Sequence, residues 1–109
     1  HPGLSPLLMG WLVAVAIRLA TGSATVATVT SAGILEPLAA TMVGPHAALL
    51  VLAVGCGSVF FSHVNDAGFW LIKEYFNVSV GDNIKSWSLM ETVLSVTGIL
   101  LVLLTSVLV

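Results

Sequence analysis

The sequence predicts an all-α membrane protein, and two observations support this fold class. Hydrophobic residues make up 58% of the chain and charged residues 7%, against about 45–50% and about 25% in typical soluble domains. The stretches rich in Leu, Val and Ala have no polar face, and clusters of small and polar residues interrupt two of them. We therefore predict a re-entrant helical hairpin, a broken transmembrane helix and a C-terminal transmembrane helix, which together form part of one domain.

The first element is predicted to be a re-entrant hairpin over residues 7–35. The apolar run Leu7–Ile17 reaches Arg18 before it has the about 20 residues that a spanning helix needs. A second apolar run, Val26–Leu35, ends at a Glu-Pro pair, where proline cannot continue a regular helix. The small and polar residues Thr21–Thr25 join the two runs. A membrane tolerates such a turn only where the tip is buried in protein or lines a cavity.

The second element is predicted to be a helix broken at membrane depth, over residues 47–76. The apolar run Ala47–Phe61 leads into the polar segment Ser62–Gly68, and an apolar patch restarts at Phe69. Aromatic and charged residues then occur together, as happens where a chain leaves the hydrocarbon core. Discontinuous helices of this kind commonly form ligand sites inside membranes.

Residues 77–87 are predicted to be an aqueous loop and residues 88–109 the C-terminal transmembrane helix. Ser88 is followed by Glu91 three residues later, which is the spacing of a capping box before an apolar run. The stretch Thr92–Val109 has no charge and is dominated by Leu and Val. Its length reaches the lower limit for a spanning helix, about 17 residues.

Charge and cysteine content argue against several other classes of protein. The three basic and five acidic residues are spread along the chain and give a net charge of −2, so the sequence has no basic patch for nucleic acid. Cys56 is the only cysteine, which excludes an internal disulfide and leaves too few thiolates for a structural zinc site. No positively charged segment precedes the first apolar run, so we expect no signal peptide and interpret the sequence as one part of a longer chain.

Four ionisable groups lie inside or beside the apolar runs, where a charge costs about 2.5–3.5 kcal/mol on insertion scales. They are Arg18, Glu36, His63 and Asp66. In one interpretation, Arg18 lies at a helix end with its charge at the interface, or pairs with Glu36. In the other, Arg18 binds a carboxylate or phosphate together with the Thr21–Thr25 turn and the positive end of the helix that follows.

The densest polar cluster of the chain is the segment Ser62-His63-Val64-Asn65-Asp66. Ser62 and Asn65 can bond hydroxyl groups of a ligand. If the cluster is buried, loss of hydration favours the protonated form of the Asp66 carboxyl group and makes Asp66 a candidate proton carrier, and His63 can share either task. The alternative is that these residues only cap two helices or lie in an exposed loop.

Enzymatic and metal chemistry are both disfavoured. Ser62, His63 and Asp66 are too close in sequence to give the geometry of a hydrolase, and the chain has no G-x-S-x-G motif. A metal site at His63 and Asp66 would need His46 and Glu36, which lie far off in the sequence. We therefore expect a protein that is not an enzyme and has no cofactor or bound metal, with sodium held by backbone carbonyls as an open alternative.

Two long stretches resemble the signature sequences of the gluconate permease family. They are Arg18–Ala27, which reads RLATGSATVA, and Ser62–Trp70, which reads SHVNDAGFW. The stretches Lys73–Phe76 and Trp87–Thr92 also resemble the end of those permeases, in the same order and at similar spacing. The resemblance covers nearly the whole chain.

The resemblance implies a multi-pass protein of the cell inner membrane, in a wider group of ion transporters. Its expected function is secondary active transport of gluconate or a related sugar acid, coupled to protons. Because the family's chains are several times longer, residues 1–109 would be the C-terminal part of a single transporter domain. The expected partners are a small organic anion, the lipid bilayer, the rest of the permease and, as an open option, further copies of it.

The resemblance also suggests a role for each polar residue. The residues expected to bind substrate are Arg18, Thr21, Gly22, Ser23, Thr25, Ser62 and Asn65. Asp66 with His63 would couple the proton. Two alternatives stay open. One is a related permease for D-serine or another small carboxylate, and the other is a truncated membrane remnant whose polar clusters serve helix packing.

Overall fold

The structure, a computed structural model, describes residues 4–42 and 44–108, and these residues form helices and connections without a strand. This confirms the predicted all-α fold class. In chain order the helices are α1 (Leu4–Thr21), α2 (Ala24–Ala39), α3 (Pro45–Gly57), α4 (Ala67–Phe76), α5 (Val80–Asn83), a π-helical turn (Ile84–Ser88) and α6 (Leu89–Leu108).

Helices α1 and α2 form an antiparallel hairpin with a two-residue turn. Gly22 has a φ of 70°, a left-handed conformation that favours glycine. Ser23 is the N-cap of α2, and its side chain accepts a hydrogen bond from the backbone N–H of Val26 at 3.1 Å. Helix α2 runs past the predicted end and includes Pro37. Proline removes only one helical donor, and α2 ends at Ala39, two residues later.

Helices α3 and α4 are separated by a long non-helical connector. Helix α3 begins with a proline, whose missing N–H costs nothing at a first helical position, and it ends at Gly57, earlier than the predicted Phe61. Residues 58–66 form the connector. Asp66 caps α4, because its side chain accepts a hydrogen bond from the backbone N–H of Gly68. The interruption of the helix therefore lies where the sequence predicts it but is longer.

The predicted loop over residues 77–87 is wrong for most of its length. Ser79 accepts a hydrogen bond from the backbone N–H of Asp82 at 3.0 Å and starts a helix at Val80. This helix is continuous through the π-helical turn to Leu108. Ser88 therefore lies inside a helix and is not an N-cap, so the predicted capping box is also wrong. Val109, the last residue of the predicted C-terminal helix, lies outside the described residues.

The core lies where α1, α2, α3 and α6 meet. It contains Leu7, Ala14, Leu35, Leu49, Leu50, Ala53, Val54, Ile99 and Val102. A Cβ on Gly57 would lie 2.5 Å from the carbonyl oxygen of Trp11, so only glycine allows α1 and α3 to approach this closely. The two helices run parallel, which brings the end of α1 to the connector that follows α3.

A hydrogen-bonded chain also links these helices. The Trp11 indole donates to the Ser95 hydroxyl at 3.1 Å, and that hydroxyl donates to the carbonyl of Cys56 at 2.6 Å. These two bonds connect α1 to α6 and α6 to α3. Helix α6 is therefore fixed against both, with its N-terminal end beside the connector.

Among the described residues, one helix is long and apolar enough to cross a membrane, Val80–Leu108, and α1, α2 and α3 are shorter apolar helices. Many large apolar side chains of α6 are exposed, among them Leu100, Leu104 and Leu108. An exposed apolar surface of this extent is unfavourable in water. It is suited to lipid or to further protein.

Candidate functional site

The two predicted interruptions lie in direct contact. A Cβ on Gly22 would overlap the backbone of Asn65, with the carbonyl carbon at 2.6 Å. The side-chain amide of Asn65 donates to the backbone carbonyl of Leu19 at 2.9 Å, and the ring Nε2 of His63 lies 3.3 Å from the same oxygen. The end of α1 and the connector before α4 therefore form one site, although they are far apart in sequence.

An ion pair between Arg18 and Asp66 lies at the centre of this contact. The guanidinium Nη2 is 2.7 Å from Oδ2 of the carboxylate, and the side chains are 5% and 17% exposed. Glu36 is exposed on α2. The expected alternatives for Arg18, a charge at the interface or a pair with Glu36, are therefore both wrong. Burying the pair is unfavourable in itself, which makes a purely stabilising role a weak explanation.

The carboxylate of Asp66 accepts three hydrogen bonds from the described residues. Besides Arg18, the Ser62 hydroxyl donates to Oδ2 at 2.5 Å and the backbone N–H of Gly68 donates to Oδ1 at 3.0 Å. Donors of this kind favour the ionised form of a carboxyl group. The same carboxylate thus caps α4, holds Arg18 and fixes Ser62, so these three parts of the site depend on one side chain.

Arg18 keeps donors that this pair does not use. Its Nε is buried and has no hydrogen-bond partner among the described residues. A guanidinium offers five N–H donors and commonly binds a carboxylate through two of them. The N-terminal ends of α2 and α4 lie at the same contact, and each carries a partial positive charge of roughly half a unit. The contact therefore brings together groups of the kind that bind organic anions in proteins.

The tip residues differ in what they do. The Thr21 hydroxyl donates to the carbonyl of Ile17 at 2.8 Å and accepts from the backbone N–H of Ser23 at 3.3 Å. Ser23 caps α2. Thr25 is exposed on α2, and none of the hydrogen bonds between described residues involves its side chain. The structure therefore brings Arg18 and Gly22 to the connector, while Thr21 and Ser23 shape the turn.

Ser62 and Asn65 have different environments within the connector. Ser62 is buried and Asn65 is exposed. Before them Phe61 has a φ of 40°, a left-handed conformation that is uncommon outside glycine and is typical of functional sites. Its ring lies 5.6 Å from that of His63. The alternative role of the cluster is met in part, because Asp66 caps α4 and Asn65 is exposed in a non-helical connector, whereas Ser62 is buried.

Two residues of α6 and the turn before it belong to the site and were not predicted. The Ser88 hydroxyl donates to the backbone carbonyl of Ser62, and both side chains are buried. Glu91 lies one turn further on, on the same face of the helix as Ser88. The spacing of Ser88 and Glu91 is a sequence signal, but it also matches a capping box. No local sequence pattern predicts the π-helical turn, a feature that is frequent at functional sites.

Side chains that commonly bind metals do not cluster among the described residues. The described residues contain no group of three or more His, Cys, Asp or Glu side chains that could hold one. Arg18 at the centre would also repel a cation. The polar groups are suited to an anion.

Comparison with known proteins identifies the family. The sequence model of the GntP family permeases matches residues 1–108. A gluconate permease of Pseudomonas aeruginosa is 58% identical over 103 residues, which are 94% of this chain and 23% of that protein. A high-affinity gluconate transporter of Escherichia coli is 59% identical over 96 residues, which are 88% of this chain and 22% of that protein.

A third relative has a different named substrate. The Gnt-II system L-idonate transporter of Escherichia coli is 54% identical over 100 residues, which are 92% of this chain and 23% of that protein. No solved structure matches the chain significantly. The chain spans about a quarter of the length of these curated relatives. Since the family model covers all but the last residue, the chain belongs to the GntP permease family and is part of a membrane protein.

Proposed function

We propose that this chain is the C-terminal part of a longer permease that carries gluconate or a related sugar acid across the inner membrane together with protons. The observation that supports this most strongly is the buried Arg18–Asp66 pair at the contact of two helix interruptions. The relatives named for gluconate and L-idonate support the substrate class. D-serine or another small carboxylate is the alternative substrate, and a remnant without transport activity is the alternative class.

The membrane arrangement we propose follows the helix lengths. Helix α3 has 13 residues and α4 has 10, which correspond to about 20 Å and about 15 Å at 1.5 Å per residue. Neither crosses the about 30 Å of a hydrocarbon core alone. Residues 47–76 then form a broken transmembrane helix, residues 7–35 a re-entrant hairpin with its tip against the connector, and Val80–Leu108 a full span.

In this proposal Arg18 binds the carboxylate of the substrate. The spare donors of its guanidinium and the N-terminal end of α2 supply the positive charge that an anion needs. Ser62 and Asn65 bond hydroxyl groups of the sugar acid. The turn residues Thr21–Thr25 follow Arg18 and fix the end of α1 against the connector.

Proton coupling follows from competition for one cation. When a substrate carboxylate binds the spare donors of Arg18, it shares the positive charge of that guanidinium with Asp66 and adds a like charge beside the Asp66 carboxylate. Both changes favour protonation of Asp66. Substrate and proton then bind together and strengthen each other's binding, as a symporter requires. His63 is the second candidate for this role, because it lies in the same connector and its ring bonds the end of α1.

The test uses the full-length permease in proteoliposomes, with labelled gluconate, L-idonate and D-serine offered in turn. We expect an inward proton gradient to drive uptake of a sugar acid by the wild type. Arg18→Gln should abolish uptake, and Asp66→Asn should weaken the response to the gradient. Lys85→Gln, which removes an exposed cation of the π-helical turn, is the matched control and should behave as the wild type. Unchanged gradient-driven uptake in both site variants would contradict the mechanism.

A further inference from the structure

Glu91 is an acidic residue of the site that the mechanism above does not use. It lies in the first turn of α6, a helix that otherwise has no charged residue. Its side chain is half-buried. None of the hydrogen bonds and ion pairs between the described residues involves it, although a carboxylate in an apolar helix normally has a partner.

Glu91 lies on the same face of α6 as two serines that contact neighbouring elements. Ser88, three residues before it, donates to the carbonyl of Ser62, and Ser95, four residues after it, donates to the carbonyl of Cys56. Residues three and four apart share one face of a helix. Glu91 therefore lies on the face of α6 that packs against the connector and the end of α3.

The charges of this region come from two elements. The connector that Ser88 contacts carries Asp66, which pairs with Arg18 at the end of α1. The connector also carries His63, and Cys56 of α3 contacts α6 further along at Gly98. Arg18 is the only buried cation of the described residues.

The charge balance does not accommodate an ionised Glu91 once an anion is present. The single positive charge of Arg18 neutralises one carboxylate, and Arg18 already pairs with Asp66 at 2.7 Å. A substrate carboxylate would add a further negative charge beside Arg18. Like charges in a site of low polarity raise the proton affinity of the carboxyl groups there.

From this geometry we infer that Glu91 is a second proton-binding residue of the permease, which takes up a proton when substrate binds and releases it with the substrate. This inference rests on the proposed function. With Asp66 and Glu91 both protonated, the loaded site holds Arg18 and one substrate carboxylate and is neutral. Without substrate and both protons it carries one net negative charge. Transport of a monovalent sugar acid therefore moves net positive charge inward.

The test compares the wild type with Glu91→Gln in the full-length permease in proteoliposomes. Proton and gluconate fluxes are measured together, under an imposed membrane potential. We expect the ratio of protons to gluconate to fall by about half in Glu91→Gln, because one of two coupled sites is lost. The response to a negative-inside potential should disappear as well. Exchange of labelled for unlabelled gluconate should remain, since Arg18 is intact.

Two control variants test whether a changed ratio in Glu91→Gln comes from loss of a proton-binding carboxyl group. Glu74→Gln removes an exposed carboxylate of α4 and should change neither ratio nor potential dependence. Glu91→Asp keeps a carboxyl group and should keep the wild-type ratio, which a purely structural role of Glu91 does not predict. A Glu91→Gln permease that keeps both the ratio and the potential response would overturn the inference.

A measurement on the wild type covers the case in which Glu91→Gln does not fold. Proton uptake on addition of gluconate is followed in weakly buffered detergent solution at a pH where carboxyl groups are ionised. We expect more than one proton per bound gluconate, and one or fewer would overturn the inference. If the wild type neither binds nor transports gluconate or L-idonate, the proposed function itself fails. A wild type that transports gluconate with a single proton refutes only the role of Glu91.

Discussion

The guanidinium of Arg18 lies 2.7 Å from the carboxylate of Asp66, and 48 positions of sequence separate the two residues. Arg18 is at the end of the first helix of the hairpin, and Asp66 is the N-cap of α4. One ion pair therefore connects the two places where apolar helices are interrupted.

The first prediction concerns the stability of the Arg18–Asp66 pair. Removing one partner leaves the other charge buried and uncompensated, which costs about 3–5 kcal/mol. We expect Arg18→Gln and Asp66→Asn each to lower the thermal unfolding midpoint of the full-length permease in detergent. The double variant should be less destabilised than the sum of the two. Additive losses would show that the two side chains do not interact in the folded permease.

The second prediction concerns the contact between the turn and the connector. Gly22→Ala places a methyl group against the backbone of Asn65 and forces alanine into a left-handed conformation, which costs about 1–2 kcal/mol for the backbone alone. We expect loss of gluconate uptake in reconstituted permease.

Gly33 offers the matched control for this change. A Cβ there would meet nothing within 4 Å, and alanine is the better helix former by about 1 kcal/mol. Gly33→Ala should therefore keep uptake. Equal activity of the two alanine variants would show that the tip and the connector do not touch in the working permease.

The third prediction concerns Ser88. Its hydroxyl donates to the carbonyl of Ser62 inside the protein, and leaving that carbonyl without a donor costs about 1–3 kcal/mol. We expect Ser88→Ala to weaken gluconate uptake and to lower the unfolding midpoint. Ser86→Ala is the control, because the exposed Ser86 hydroxyl bonds only Asp82 of its own helix. A Ser88→Ala permease with wild-type uptake and stability would remove Ser88 from the site.

The sequence alone predicted both interruptions and the final apolar helix. Charge and small polar residues in the middle of apolar runs are local signals, and the structure places helix ends at Thr21 and Gly57 close to them. The partner of Arg18 was not predictable in the same way. Pairing between distant residues depends on the parallel packing of α1 and α3, which Gly57 allows and which no local pattern encodes.

The segment before α6 shows a second kind of failure. The sequence analysis predicts a helix start at Ser88, three residues before Glu91, although Ser79 also stands three residues before an acidic residue. The structure starts the helix at Ser79. That leaves Ser88 and Glu91 on an inner face of the helix, where they become part of the site. The spacing of serine and acidic residues does not distinguish a helix start at Ser79 from one at Ser88, because tertiary packing determines where the helix begins.

The central claim is that Arg18 binds the substrate anion at the contact of the two interruptions. The most direct measurement is the dissociation constant of gluconate for the purified full-length permease, in the wild type, Arg18→Gln and Lys85→Gln. A charge-assisted hydrogen bond of about 1.5–3 kcal/mol corresponds to roughly 10- to 150-fold in affinity. We expect the dissociation constant of gluconate to rise by at least about 10-fold in Arg18→Gln. Lys85→Gln should bind gluconate as tightly as the wild type. Gluconate binding that is equally tight in all three proteins would contradict the claim.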